Sequence, residues 1–564
     1  MPRFVLILIC LASLSLRLAG NDHGLVHFHA DDPPPGVKGT VYTFYPDERE
    51  FAACFRSLGN SFAKYASANN AGGMKIDAET LITVAKGFLT GQITIAPEWP
   101  LASLPVANYL IFFATIPVVG MKKLLGLYPV LDSNAIFAEA MMVGRYISAF
   151  FGMLIVVVVH RLLDLLCKRP EAVWTGTFLA ALMPLGIMLG HYASYNVIVA
   201  YLELSVIMYL VADQEAYHPY ALKRAAILSG IAIATKTTAG ALVPLIALAL
   251  LIRRDETPRE KLSRAGRAFS ALIVTYGLTL AYSLLTRFDD IIKTIRTQLL
   301  NATGDISGLP TPKDIVFTNY YGTVLTFALS ASVAYAAYIS IVPLLARARS
   351  SRSHIVIAAY LLLWLGLSSF NGLNQASRML VPSLLLLVSL CLFLDALFVR
   401  FDRIAMVPVA AALVLNAGVD AALVRKFFLD RDIRIESSDW IAEHIPPGET
   451  IGFFYEMIYN YQPTILYTDY FWRARKHYNY QPELSLAEPI PDSVTWIVTN
   501  RMELLSDSRV LYPHVDNILT QNGFIPVAEY EPDLSFWNHR IRYESERFFL
   551  PNLFVSKISI YKRL

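Results

Sequence analysis

The sequence predicts an all-α polytopic membrane protein followed by a small α/β domain. Three observations carry this. Only 16% of the 564 residues are charged, where soluble domains carry about 25%, and the mean hydropathy is +0.45. Apolar runs recur from residue 4 to about residue 424, and several reach the roughly 18 residues needed to cross a bilayer. After residue 424 the pattern changes to a helix, a Pro-Gly turn and β-rich runs. A net charge of +3, with no basic patch interleaved with aromatics, excludes nucleic acid as the natural partner. The cysteines Cys10, Cys54, Cys167 and Cys391 are scattered, which fits neither a disulfide framework nor a metal knuckle.

The first segment, PRFVLILICLASLSLRLAG, has the basic start and apolar middle of a signal peptide. It lacks a clean small-x-small exit, and Arg17 interrupts the point where cleavage would occur, so it is read as an uncleaved first span. Further candidate spans lie near 136–159, 172–190, 194–212, 224–235, 238–252, 266–285, 319–345, 353–369, 378–399 and 404–424. With the first, this makes about eleven.

Basic residues in short connections set the orientation. Arg161, Lys168 and Arg169, then Lys223 and Arg224, the stretch RRDETPREKLSRAGR (253–267), Arg347, Arg349 and Arg352, and Arg400 with Arg403 form one set of loops. Placing all of them with Arg3 in the cytoplasm gives consistent alternation if 224–252 is a hairpin of two short helices turning at ATKTTAG. The same parity makes 101–120 an interfacial helix interrupted by Pro105 and Pro117, the alternative being an extra span. The expected organisation is a membrane domain over 1–424, with a large outer loop at 21–135, and an extracytoplasmic α/β domain over 425–564. In that tail DWIAEHIPPGETIGFFY reads as helix, turn and strand, and SVTWIVTN as a strand.

Two acidic pairs stand near the start. Asp31-Asp32 precedes Pro33, Pro34 and Pro35, which places it on a stiff extended turn. Together with His23, His27 and His29 it offers donors for a divalent ion, although histidine-rich surface loops usually bind nothing specific. No cofactor is required by the sequence, and no metal ligand set is assigned. Asp47-Glu48 follows Pro46 and precedes an amphipathic helical pattern, where two carboxylates satisfy free N–H groups and the helix dipole.

In order along the chain, LRLAGNDHGL…YTFYPDEREF, PEWPLASLPVANYL, AMMVGRYISAFFGMLIVVVVHRLLDLL, HYASYNVIVAYLELSVIMYL, ILSGIAIATKTTAGALVPL, NQASRMLVPSLLLL and WIAEHIPPGETI resemble the GT-C superfamily. These are membrane glycosyltransferases that use lipid-linked sugars. The pattern is most similar to dolichyl-phosphate-mannose protein mannosyltransferases and aminoarabinose transferases, and it covers most of the chain. This sequence departs from the family pattern in having Asn196 where Asp is frequent, Met379 where Tyr is usual, and an insertion before Asp47.

The resemblance implies transfer of a sugar from a polyprenyl- or dolichyl-phosphate donor to a glycan, lipid or protein acceptor on the outer face. It places Asp47 and Glu48 at the family's Asp-Glu pair in the first outer loop. The acceptor hydroxyl must lose a proton and the leaving phosphate must be neutralised. Asp47 is then the general base, with Glu48 orienting it or the acceptor, and Lys236 and Arg378 meet the phosphate. Snorkelling of either cation to the interface is the plain alternative. His191, Tyr195 and Asn196 are expected to line the sugar pocket, Asn196 serving equally well as a helix cap. The amphipathic stretch RFDDIIKTIRTQLL (287–300) reads as a lid over the donor or a connector, and Asn301 begins a glycosylation sequon.

The rival class is a transporter or flippase of lipid-linked or small solutes. Transporters often carry internal repeats and broken helices at mid-membrane. Here no repeat is evident and the candidate polar residues gather at one face. A catalytically silent relative that binds a lipid-linked sugar is the third possibility.

Overall fold

The computed structural model describes residues 2–22, 133–215, 220–253, 255–286, 324–370, 379–454, 478–481, 489–500, 515–536 and 557–564, with scattered positions between 110 and 125 and at 484, 539 and 540. The chain is mostly helical with one small mixed sheet near its end. Each of the eleven apolar segments carries helix. In order these are α1 (Pro2–Leu18), α2 (Ser133–Leu166), α3 (Pro170–Ala181) with α4 (Pro184–Gly190), and α5 (Tyr195–Glu215). Next come α6 (Ala221–Thr235), a 3-10 turn (Thr237–Ala241) leading into α7 (Leu242–Leu251), and α8 (Pro258–Thr286). The last are α9 (Leu325–Leu329) with α10 (Ala331–Ala348), α11 (Arg352–Phe370), α12 (Leu380–Arg400) and α13 (Arg403–Leu429).

Among the described residues five helices are long and apolar enough to cross a membrane, or six if α3 and α4 form one span. The segment expected as a single span at 172–190 is therefore two helices bent by 44°. The cause is Pro184, which cannot donate to the helix ladder. A second break separates α9 from α10 at Ser330, whose φ of 70° is outside the region most L-residues adopt. The helices α5 and α12 form the centre of the bundle: 78% and 83% of their apolar windows are buried, against 28% for α10. Exposed Ile339, Val342 and Leu345 on α10 and Phe4, Ile7, Leu8 and Leu11 on α1 fit contact with lipid.

The basic loops meet one another at one end of the bundle. Asp395 of α12 accepts from the backbone N–H groups of Lys168 and Arg169 at 2.9 and 2.7 Å, satisfying donors at the start of α3. Arg403 pairs with Glu171 at 2.7 Å, Arg347 donates to the Leu392 carbonyl at 3.0 Å, and Arg352 pairs with Asp255 at 2.5 Å. Asp213, at the end of α5, binds Arg253 at 2.9 Å and Arg264 at 2.7 Å. The stretch 253–267 is thus tied down by acids, a feature its basic composition concealed. Thr257 and Glu260 exchange side-chain to backbone hydrogen bonds at the start of α8, with Pro258 in its first turn.

The ends of α5 and α7 lie together at that same end, where Gln214 donates to the Ala249 carbonyl at 3.0 Å. The expected hairpin follows: α6 runs away from this end, turns at Lys236, and α7 returns.

The tail continues with α14 (Ile433–His444) and a five-stranded sheet. Its strands are β1 (Thr450–Gly452), β2 (Asn479–Gln481), β3 (Trp496–Asn500), β4 (Phe524–Tyr530) and β7 (Ile558–Arg563), in the order β2-β1-β3-β7-β4. Helix α15 (Val515–Gln521) precedes β4, and β5 (Ser535–Phe536) pairs separately with β6 (His539–Arg540). Alternation along β3 divides the core, as strand geometry requires. Trp496 and Val498 join Ile433, Ile441 and Ile445, whereas Ile497 packs with Val515, Leu519 and Phe524. The helix, turn and strand read from DWIAEHIPPGETI and the strand read from SVTWIVTN are present as α14, β1 and β3.

Candidate active site

At the end of the bundle opposite the basic loops, the exit of α1 is locked by four other helices. Arg17 is 1% exposed and lies between α2 and α4. An added Cβ at Gly152 would come within 2.7 Å of its Nε, and one at Gly190 within 2.8 Å of its Cδ. Its guanidinium donates to the carbonyls of Ser13 (2.9 Å), Gly186 (3.2 Å) and Ala181 (3.4 Å). The last two flank the bend between α3 and α4, so Arg17 supplies donors to carbonyls at the interrupted ladder.

Gly20 then takes φ +78°, and a Cβ there would stand 2.1 Å from the Phe428 carbonyl oxygen. Only glycine fits both demands. His191 completes the clamp. Its Nδ1 lies 2.9 Å from the Ile187 carbonyl oxygen, its Nε2 lies 2.9 Å from that of Ala19, and its ring stacks on Phe428 at 3.8 Å. The clamp fixes the point from which the first loop leaves, the loop that holds both acidic pairs.

A chain of polar contacts runs from this exit to the α6–α7 turn. Buried Arg145 on α2 donates to the Asn21 carbonyl at 2.6 Å. Three positions further along α2, Ser148 accepts from the Ser194 N–H at 3.0 Å and donates to the Ser194 carbonyl at 3.3 Å. The Ser194 hydroxyl accepts from the Asn196 backbone N–H and from its side-chain Nδ2, each at 3.3 Å. Ser194 thereby caps α5, which frees the Asn196 carboxamide oxygen for another partner.

That partner is Lys236. Its Nζ donates to Asn196 Oδ1 at 2.5 Å and lies 4.9 Å from the centre of the Tyr195 ring. Extended backbone at Lys236 (φ −153°, ψ 124°) separates α6 from the 3-10 turn and turns the side chain toward α5. Tyr195 and Asn196, nominated from one motif, and Lys236, nominated from another, are therefore one cluster. His191 stands apart from the ammonium, with both ring nitrogens on main-chain carbonyls. An ammonium braced by an amide oxygen and an aromatic face, at a helix end, can neutralise a phosphate.

Asp47, Glu48 and Arg378 lie outside the described residues, as do Asp31, Asp32, His23, His27, His29 and the 287–300 stretch. Among the described residues no three His, Cys, Asp or Glu side chains gather to hold a metal ion. The described part of the 101–120 segment lies at the site end of α2: Ile111 borders Gly144, and Lys122, just beyond the segment, pairs with Glu139 at 2.5 Å.

No protein-family model matches the chain, and no curated protein matches it. Several solved structures are similar to it. An oligosaccharyltransferase from Archaeoglobus fulgidus in complex with zinc and sulfate shares 13% identity over 94% of this chain and 72% of its own, with a TM-score of 0.49. ArnT from Cupriavidus metallidurans bound to undecaprenyl phosphate shares 12% identity over 99% and 97%, also at 0.49. The mycobacterial arabinofuranosyltransferase AftD shares 13% identity over 100% of this chain and 42% of its own, at 0.40. The likeness stops at similarity: it assigns neither donor, acceptor nor site residue to this chain.

Sequence reasoning passed over Arg17 as a structural hub, the Ser148–Ser194 link, and Glu203. The only available signal for Glu203 was an isolated acid within the apolar run YLELSV.

Proposed function

We propose that the chain is an integral membrane glycosyltransferase that moves a monosaccharide from a polyprenyl- or dolichyl-phosphate carrier to an acceptor on the outer face. The observation that carries this reading is the Lys236–Asn196–Tyr195 cluster at the bundle end where α1 exits. A lipid-linked phosphate resides at the membrane face, and its departure with the bonding electrons of the anomeric C–O bond requires positive charge there. Lys236 supplies that charge, and Arg378 a second cation suited to bidentate contact.

Asp47, carried by the loop that the Arg17, Gly20 and His191 clamp launches, takes the acceptor proton, with Glu48 orienting it. Direct attack inverts the anomeric centre. In this reading the N-terminus is cytoplasmic and the tail after residue 424 lies outside.

The test uses purified protein in lipid with radiolabelled polyprenyl-phosphate sugars, comparing wild type with Asp47→Asn and Asp31→Asn. Release of free polyprenyl phosphate or transfer to extracted envelope acceptors, abolished only in Asp47→Asn, is expected. Loss confined to Asp31→Asn would transfer the role to the histidine-rich loop. Movement of intact donor across the bilayer without turnover would make the chain a transporter.

A further inference from the structure

Hydroxyls in the apolar helices of this chain spend their proton on the preceding turn. Thr175, Thr177, Ser205, Ser229, Thr235 and Ser383 each donate to the carbonyl four residues earlier, at 2.6–2.8 Å. Thr238 does not. Its Oγ1 is buried and has no hydrogen-bond partner, three residues after Thr235 and two after Lys236. An unmet buried hydroxyl lowers stability, a cost that valine, with the same shape, would not carry.

The place of Thr238 in the fold gives this hydroxyl its meaning. The 3-10 turn passes into α7 through Ala241 and Leu242, both in helical conformation, so that Thr237–Leu251 is one continuous helix. Lys236 is its N-cap and makes no side-chain cap hydrogen bond. Thr238 lies in the first turn, where N–H groups have no intrahelical acceptor. That turn contains no acid. A helix start favours an anion, yet this one opens with a lysine, whose charge has the same sign as the helix end.

We propose that Thr238 is a further donor-binding residue: its hydroxyl donates to an oxygen of the carrier phosphate that Lys236 neutralises, at the start of the helix that the lysine caps. This rests on the reading of Lys236 as a phosphate-binding group. Thr238 as a whole is half-buried, and threonine populates two χ1 rotamers in a helix, so the hydroxyl can reorient without movement of the backbone. Phosphate oxygens accept from hydroxyl, N–H and ammonium alike. An uncharged polyprenol offers a single hydroxyl in their place.

The experiment uses the full chain in lipid nanodiscs and compares wild type with Thr238→Val, Thr238→Ser and Lys236→Met. Two quantities are measured for each: the affinity for farnesyl phosphate, with farnesol as the uncharged control, and the thermal transition. Thr238→Val is expected to weaken farnesyl phosphate about tenfold and to leave farnesol unchanged. It should melt no lower than wild type, since valine fills the same space without an unmet hydroxyl. Thr238→Ser restores the hydroxyl and should bind farnesyl phosphate within about threefold of wild type.

Undiminished affinity for farnesyl phosphate in Thr238→Val, with Lys236→Met weakened, would overturn the proposal and leave the reading of Lys236 standing. Equal losses in Thr238→Val and Thr238→Ser, or a parallel loss of farnesol, would assign the effect to packing and overturn it as well. If wild type binds farnesyl phosphate no better than farnesol, the donor reading falls and the role of Thr238 falls with it. If Thr238→Val does not fold, Thr238→Ala removes the same hydroxyl, and its comparison with Thr238→Ser decides in the same way.

Discussion

Replacing Lys236 by Met is expected to lower kcat/KM for a polyprenyl-phosphate sugar by one to two orders of magnitude without unfolding the protein. At rest the ammonium donates to Asn196 at 2.5 Å and faces the Tyr195 ring at 4.9 Å. A hydrogen bond involving a charged group is worth about 1.5–3 kcal/mol, and a cation over an aromatic ring about 0.5–2 kcal/mol. In the proposed transfer a charge-assisted bond of the first kind forms to the leaving phosphate's oxygen, and Met cannot make it. At 1.36 kcal/mol per tenfold, a loss of about 1.5–3 kcal/mol is roughly 10- to 150-fold in rate. Folding should survive, because Lys236 is half-buried at a helix junction and the Asn196 amide keeps Ser194 as a partner. Asn196→Leu leaves the cation present but without its amide acceptor and should cost roughly 3- to 10-fold. Because both changes act through one bond, the double variant should be no slower than Lys236→Met. The assay is initial-rate turnover in nanodiscs across donor concentrations, with melting temperature as the control for folding. A Lys236→Met enzyme within twofold of wild type would refute the assignment of Lys236 to the phosphate.

Three further outcomes concern the frame. Arg17→Met strips donors from the Gly186 and Ala181 carbonyls beside the α3–α4 bend and should destabilise by about 3 kcal/mol, read as a lowered unfolding temperature in detergent. Ser330→Gly should stabilise by about 1 kcal/mol, since Ser330 pairs φ 70° with ψ 148°, a conformation that costs a side chain energy and that glycine adopts freely; a lower melting temperature would contradict this. In the tail, the hydrogen bond from Lys426 is the first cause holding the Asp533 carboxyl below its usual value. A carboxyl lowered on folding contributes stability above its unfolded value near pH 4, and that contribution is lost as pH falls through the folded value. With the Asp533 side chain 58% exposed, Asp533→Asn should cost less than roughly 0.5 kcal/mol at pH 7 and progressively less as pH falls below about 4, measured as the pH dependence of unfolding.

Much of the framework was legible because its causes are local. Eleven apolar stretches carry helix where hydropathy placed them, the turn at Lys236 lies where basic-loop parity required it, and α14, β1 and β3 follow their turn and alternation signals. The bend before Pro184 was legible in principle, since the proline is visible, but composition averaged over a window conceals it. Arg17 read as an interruption of an apolar run. Only the packing of α1 against α2 and α4 shows a guanidinium seated on glycines and bound to carbonyls 164 and 169 residues away.

The same distinction governs the site. Residue chemistry nominated Lys236 from one motif and Tyr195 with Asn196 from another, both motifs resembling a family. That the lysine and the asparagine share a bond is a fact of tertiary structure, because the two are 40 positions apart. His191 looked equivalent to them in sequence, yet its ring is spent on the main chain of α4 and on Ala19. Glu203 gave one unspecific sign, an acid in apolar surroundings, and acquired meaning only when α11 brought Tyr360 and Trp364 to the same oxygen. Hydropathy and turn chemistry act over one or two turns of chain, so they determined which segments would be helices and where the chain would turn. Which polar atoms share a partner depends on how those helices pack, and that the tertiary structure alone decided.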